Sequence, residues 1–267
     1  MDSVSAKPIL GVGPGQEVLV EPSDTGLSMH LVLNRPSWAN ALDAATARNL
    51  MRSIDHAVTT QARAVILRGV GPHFCSGFDF SNIESKSHGD LLLQFVLIEL
   101  FLQQLCRSPI ATVAVASGRT LGAGADLFLA CDHRLCFPDA TFSFPGPSFG
   151  IVLGSRRIAD RVGREMALDI LDSGRTIDAK EAVQIGLASE IVEEPELGPR
   201  LKAIEEIVAR LDALTVASIK SATLSGELDS DIAYLVRSAS HHDLKDRIVA
   251  YRSATRISRL KGDNHSR

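Results

Sequence analysis

The chain has 267 residues, enough for one large domain or a domain with a helical appendage. With 45% hydrophobic and 22% charged residues it can bury a full core, and a net charge of −4 excludes a general attraction to nucleic acid or anionic membranes. Cys75, Cys106, Cys131 and Cys136 show neither Cys-x-x-Cys spacing nor a His partner, so they read as buried free thiols in a reducing compartment and no metal site is expected.

Met1 to Lys7 has no basic segment followed by an apolar run, so no secretory signal is expected and the chain reads as cytoplasmic. Gly11-Val12-Gly13-Pro14-Gly15 has no strand pattern before it and no helix pattern after it, and reads as a terminal loop. Glu17–Glu21 and Ser28–Leu33 alternate as two strands joined by the turn at Ser23-Asp24-Thr25-Gly26. Residues 43–58 place Leu50, Met51, Ile54 and Val58 at helical spacing behind the capping residue Asp43. Ala64–Arg68 is a continuous apolar strand that runs into a first glycine turn, Phe74-Cys75-Ser76-Gly77-Phe78-Asp79. Asp90–Cys106 predicts a largely buried helix, interrupted by enough polar residues to read as too short and too polar for a bilayer.

Ala111–Ala116 predicts another strand, leading into a second glycine turn, Gly118-Arg119-Thr120-Leu121-Gly122-Ala123-Gly124-Ala125-Asp126, and a short helix through Leu127–Cys131. Asp132–Phe137 and Thr141–Phe144 return to strand patterns. This alternation predicts a mostly parallel α/β core. Beyond Gly163 the chain reads as helical at Arg164–Leu171, Asp178–Ile185, Leu201–Leu211 and Thr215–Arg259, with a linker at Glu193-Glu194-Pro195-Glu196. The expected division is therefore a core over 1–195 and a helical region over 196–267. Small residues at two strand ends allow close backbone approach, and their unpaired amides could converge on a developing negative charge.

Four segments in this order resemble the crotonase (enoyl-CoA hydratase/isomerase) superfamily. They are Asn34-Arg35-Pro36 with Asn40-Ala41-Leu42-Asp43, the two glycine turns, and Gly174-Arg175-Thr176-Ile177-Asp178-Ala179 with Ala182, Gly186 and Leu187. The resemblance implies an α/β fold, a spiral of β-β-α units with a C-terminal helical region that assembles trimers or dimers of trimers. It implies an acyl-CoA substrate of the kind met in fatty-acid metabolism, and no cofactor beyond the CoA moiety. By position it assigns the oxyanion amides to Ser76 and Ala123, and the CoA-binding surface to Arg35, Trp38, Ala39, Ala41, Ser76, Phe78, Asp79 and Phe80. Lys245, Arg247, Arg252, Arg256 and Arg259 form a basic face on the last helix that would suit nucleotide phosphates, or solvent.

Two departures bear on the reaction. Hydratases of this family use a pair of glutamates, and here Asp126 occupies the first position and Gly146 the second. The aspartate is shorter by about 1.5 Å, and a glycine moves no proton. Asp126 is thus the candidate acid–base group, with its helix start lowering and an apolar pocket raising its pKa. Glu99, His73, Ser143 and Ser148 are conceivable substitutes for the missing partner. Phe78, Phe80, Phe144 and Phe149 suggest an apolar or aromatic acyl pocket. The expectation is an acyl-CoA enzyme that stabilises a thioester enolate, isomerisation being easier to envisage than hydration. A CoA-thioester hydrolase, a carbon–carbon lyase and a non-catalytic acyl-CoA binder are the alternatives.

Overall fold

A computed structural model describes residues 17–224, 228–240 and 243–263, with side chains described through Thr255. The loop expected at residues 11–15, and the side chains of Arg256 and Arg259, lie outside the described residues.

Six strands form the main sheet: β1 (Val18–Pro22), β2 (Ser28–Leu33), β3 (Ala64–Gly69), β4 (Ala111–Ala116), β6 (His133–Cys136) and β9 (Glu190–Ile191), in the order β1-β2-β3-β4-β6-β9. Only the β1–β2 hairpin is antiparallel; the remaining pairs are parallel. Parallel strands need crossovers and are covered on both faces, which is why β3 and β4 read as unbroken apolar runs. A second, three-stranded sheet runs β5 (Arg119–Leu121), β7 (Thr141–Ser143), β8 (Ile177–Asp178). The expected α/β alternation is present. The sequence reading missed β8 and β9 because two residues each carry no periodicity, and took β5 for part of a turn.

The crossovers are α1 (Ala44–Thr59) and α2 (His88–Arg107), followed by α3 (Ala123–Leu129), α4 (Ser155–Val162), α5 (Arg164–Ser173) and α6 (Ala179–Gln184). Asp43 caps α1 by accepting from the Thr46 amide at 2.7 Å, and Ser87 with Asp90 closes a capping box on α2. Measured from its caps, α2 is long and apolar enough to span a bilayer, contrary to the sequence expectation. It is a core helix nonetheless: Leu91, Phe95, Ile98, Phe101, Leu102 and Leu105 are buried in the main apolar cluster.

The C-terminal part comprises α7 (Glu194–Ala209), α8 (Ala213–Thr223), α9 (Leu228–Ala239) and α10 (Leu244–Asp263). The segment expected as a linker, Glu193–Glu196, is the capping box of α7, with Pro195 in the first turn where its missing N–H costs nothing. Ile204 and Val208 of α7 pack with Ala64, Ile66, Val113 and Leu135 over one face of the sheet. Leu235, Ala239, Leu244 and Ile248 of α9 and α10 join the larger cluster on the other.

Candidate active site

The two glycine turns lie side by side. Phe74 N donates to Ser117 O at 2.8 Å, Leu121 N to Cys75 O at 2.9 Å, and Gly122 N to Ser143 O at 2.8 Å. Backbone contact this close leaves no room for side chains. A methyl on Gly77 would stand 2.4 Å from Leu121 O and 3.0 Å from Ala123 N, and one on Gly124 would stand 2.3 Å from Cys75 O. Gly77 also has a φ of +84° and Gly122 one of +51°, which other residues adopt only with strain.

Ala123 is the first residue of α3, so its amide has no carbonyl to meet within the helix. Ser76 differs from expectation. Its amide donates to Ala39 O at 2.9 Å and its hydroxyl contacts Trp38 O at 3.2 Å, so it is not a free oxyanion donor. The free donor lies two residues on. Leu42 pairs with the turn by donating to Gly77 O at 2.7 Å and accepting from Asp79 N at 2.9 Å. Those two bonds flank Phe78, and in extended pairing the residue between them directs its own N–H to the opposite side. Among the described residues the amides of Phe78 and Ala123 have no partner, and both residues line one cavity.

That cavity is narrow, about 40 Å³ in volume. Phe78, Phe80, Phe95, Phe144, Phe149, Ile151, Leu153 and Leu171 make its walls, and Gly122, Ala123 and Gly146 leave the space. The four phenylalanines singled out from the sequence are therefore together, and the ring of Phe95 joins them, stacked 4.0 Å from Phe78.

Asp126 is the one ionisable side chain among the cavity-lining residues. It is buried, and its Oδ1 has no hydrogen-bond partner. Gly154, at the N-terminal end of α4, holds that atom in place: a methyl there would lie 1.7 Å from Oδ1. Asp126 presents its carboxyl group to the cavity. Burial pushes the Asp126 pKa up to about 8, with Arg157 opposing the shift and Glu99 and Asp231 adding to it. The helix start therefore loses to desolvation.

Gly146 also lines the cavity, and a Cβ there would stand 3.0 Å from Ile151 O, a tight contact that the neighbouring backbone would have to relieve by a few tenths of an ångström. The conceivable substitutes are engaged elsewhere. Glu99 is fully buried in an ion pair with Arg157 at 2.5 Å. His73 Nδ1 accepts from the Arg119 amide at 3.2 Å, and neither Ser143 nor Ser148 lines the cavity. Cys75 is buried with its thiol pushed up to about 12 by desolvation, which removes it as a nucleophile at neutral pH.

The CoA-binding expectations divide. Trp38 is 57% exposed and can receive a flat ring. Arg35 is committed: its guanidinium donates to Ala41 O at 2.5 Å and to Asp79 at 2.7 Å, so it braces the first turn and is not free to hold a phosphate. Ala39 and Ala41 supply carbonyls to this brace, to Ser76 N and to Arg35. From α10, Lys245 donates to the carbonyls of Glu84 and Lys86, and Arg247 to Phe149 O, tying the last helix over the rim of the site. The sequence reading missed Phe95, Gly154 and Arg157. No local motif marks them, because each acts on a residue remote in the chain.

Comparison with known proteins agrees with this architecture. Residues 28–249 match the family model for enoyl-CoA hydratase/isomerase. An ethylmalonyl-CoA decarboxylase of Rattus norvegicus is 29% identical over 231 residues, 82% of this chain and 76% of the relative. The Bacillus subtilis protein YngF, provisionally named an enoyl-CoA hydratase/isomerase, is 31% identical over 76% of this chain and 80% of its own. A Bordetella parapertussis crystal structure, with the same provisional description, superimposes with a TM-score of 0.85 at 39% identity, covering 88% of this chain and 98% of that one.

Proposed function

The chain belongs to the enoyl-CoA hydratase/isomerase family of the crotonase superfamily, and from that premise we propose that it is a carbon–carbon lyase that decarboxylates a malonyl-type acyl-CoA thioester. The observation that carries this reading is the single buried carboxylate in an otherwise apolar cavity, with a pKa raised to about 8 by burial. At pH 7 a pKa near 8 keeps Asp126 mostly protonated. Hydration needs two groups moving protons, and Gly146 supplies none. Decarboxylation needs no base at all. The bond from Cα to the substrate carboxylate breaks, its electron pair flows into the thioester, and carbon dioxide leaves. The amides of Phe78 and Ala123 stabilise the enolate oxygen, an effect of about 3 kcal/mol per donor in a dry site. Asp126 then gives its proton to Cα, and solvent reprotonates the aspartate.

The apolar walls favour the same step. A carboxylate bound without a cationic partner is poorly solvated, whereas the charge spread over enolate and carbon dioxide is less dependent on water. The decarboxylase among the relatives supports the reading. Isomerisation is the second reading, since one carboxylate can take a proton from Cα and return it to Cγ, but it must start from the ionised Asp126. Exposed Ile207 of α7, Leu211 of the connection after it, and Leu214 and Ile219 of α8 supply apolar surface suited to the trimer expected from the family resemblance.

The experiment is a panel. Methylmalonyl- and ethylmalonyl-CoA are followed by release of carbon dioxide, 3-enoyl-CoA and crotonyl-CoA by absorbance of the conjugated thioester, and all four by free thiol. Release of carbon dioxide with a rate that falls as pH rises through about 8 supports the lyase. Gain of conjugation with a rate that rises over the same range replaces it with the isomerase, thiol release with a hydrolase, and binding without turnover with an acyl-CoA carrier.

A further inference from the structure

Behind Asp126 lies a buried set of charges drawn from three helices. Glu99 of α2 and Arg157 of α4 are both at most 4% exposed and meet through two bonds, Arg157 Nη1 to Glu99 Oε1 at 3.0 Å and Nη2 to Oε2 at 2.5 Å. Asp231 of α9 approaches the same guanidinium at 3.4 Å and also takes Arg156 at 2.6 Å. Gln103 adds a donor to Glu99 at 3.1 Å. Arg156 extends outward to Asp160 at 2.8 Å. Within this set two arginines face the buried Glu99 and Asp231 and the exposed Asp160, so both guanidiniums are paired without Asp126.

The same short stretch of α4 touches the catalytic candidate. Gly154, three residues before Arg157, packs against Asp126 Oδ1. Arg157 is the one cation whose field acts appreciably on Asp126, yet no hydrogen bond joins them, and Nε of Arg157 and Oδ1 of Asp126 are both buried without partners. An arginine this near an aspartate would ordinarily hold it ionised. Here Glu99 takes both Nη groups of the guanidinium and Asp231 approaches Nη1, which leaves Nε alone without a partner.

We propose that Glu99 is a positioning residue whose bidentate grip on Arg157, assisted by Asp231, keeps that arginine from pairing with Asp126 and so preserves the proton that the reaction uses. The inference rests on Asp126 being the acid, but not on which thioester is turned over. It also gives α9 a part in the site, because Asp231 reaches the cluster from the C-terminal helices. The groups that face Asp126 electrostatically from its neighbours are Glu99 of α2, Arg157 of α4 and Asp231 of α9; Cys106 of α2 lies within the field of the same Glu99 and Arg157.

The test reads the proton directly. The full-length protein is labelled with ¹³Cγ-aspartate, the Asp126 resonance is assigned by its loss in Asp126→Asn, and its chemical shift is followed with pH. The wild-type midpoint is expected near 8. In Glu99→Gln, which keeps the shape and removes the charge, the midpoint should fall by about one pH unit or more, and Glu99→Asp should restore part of the shift. Asp231→Asn should move it in the same direction by less, and decides the matter if Glu99→Gln does not fold. An unchanged midpoint in the folded variant overturns the proposal. Because the titration is observed without substrate, absence of decarboxylation on the panel would refute the proposed reaction while leaving this result to stand or fall by itself.

Discussion

The two glycine turns each carry a buried aspartate near an arginine, and they reach opposite charge states. In the first, burial alone would raise the Asp79 pKa, but the Ser81 amide and the Arg35 guanidinium at 2.7 Å outweigh it and hold the carboxyl below its ordinary value. In the second, Asp126 receives no hydrogen bond at Oδ1, its nearby arginine is taken by Glu99, and its pKa rises to about 8. Burial is common to both. What separates them is whether a donor reaches the carboxylate. One turn is braced and the other is kept chemically unsatisfied.

The largest way to break this comparison is Asp126→Asn. If Asp126 is the proton donor, kcat should fall by about 10²- to 10⁴-fold with KM little changed, measured on whichever thioester the panel identifies. Turnover within a few-fold of wild type would remove Asp126 from the mechanism.

Arg35→Met probes the braced turn. It strands Asp79 as an unpaired buried charge, which should cost about 3–5 kcal/mol in urea unfolding at pH 7. With its partner gone, Asp79 would take up a proton as pH falls, so the deficit should shrink toward pH 4. Arg157→Met should behave differently at Asp126, which has no hydrogen bond to lose, and should damage the fold through stranded Glu99 instead.

Asp126→Asn should also stabilise the fold. The folded carboxyl holds its proton to about pH 8 while the unfolded chain releases it near 3.8, so folding loses free energy as pH rises between those values. At about 1.4 kcal/mol per pKa unit the cost at pH 7 is of order 4 kcal/mol as an upper bound. The variant should therefore melt several degrees higher than wild type at pH 7, with the difference vanishing toward pH 4. Equal melting at both pH values would mean that Asp126 is ionised in the folded protein.

The smallest expected effect is Ser76→Ala. Its amide is bound to Ala39 O and its hydroxyl makes one rim contact at 3.2 Å, so kcat should change less than about threefold and stability by less than about 1 kcal/mol. A hundredfold loss would place the Ser76 hydroxyl in the catalytic machinery.

Much of the framework was legible before any coordinates. Apolar runs such as Val65-Ile66-Leu67, the cap Asp43, and the glycines at 77 and 122 each state their role within a few residues of chain. The family resemblance came from the same local signals in order, and it located Ala123, Asp126 and the empty position at 146. Where the sequence reading erred, the deciding partner was distant. Ser76 lost its free amide to Ala39, Arg35 lost its phosphate role to Asp79, and Glu193–Glu196 became a capping box because the chain after it packs on the sheet.

Sequence by itself therefore determined which peptide groups can approach one another, since positive φ and a missing Cβ are properties of single residues. It also determined that Asp126 and Gly146 stand where the family resemblance places two glutamates. Only the tertiary structure decided which amide points inward and whether that carboxylate keeps its proton. Hydrogen-bond direction depends on what Leu42 takes from either side of Phe78, and charge depends on how α2, α4 and α9 divide their ions around Asp126. Both are sums over groups far apart in the chain, and no short segment contains them.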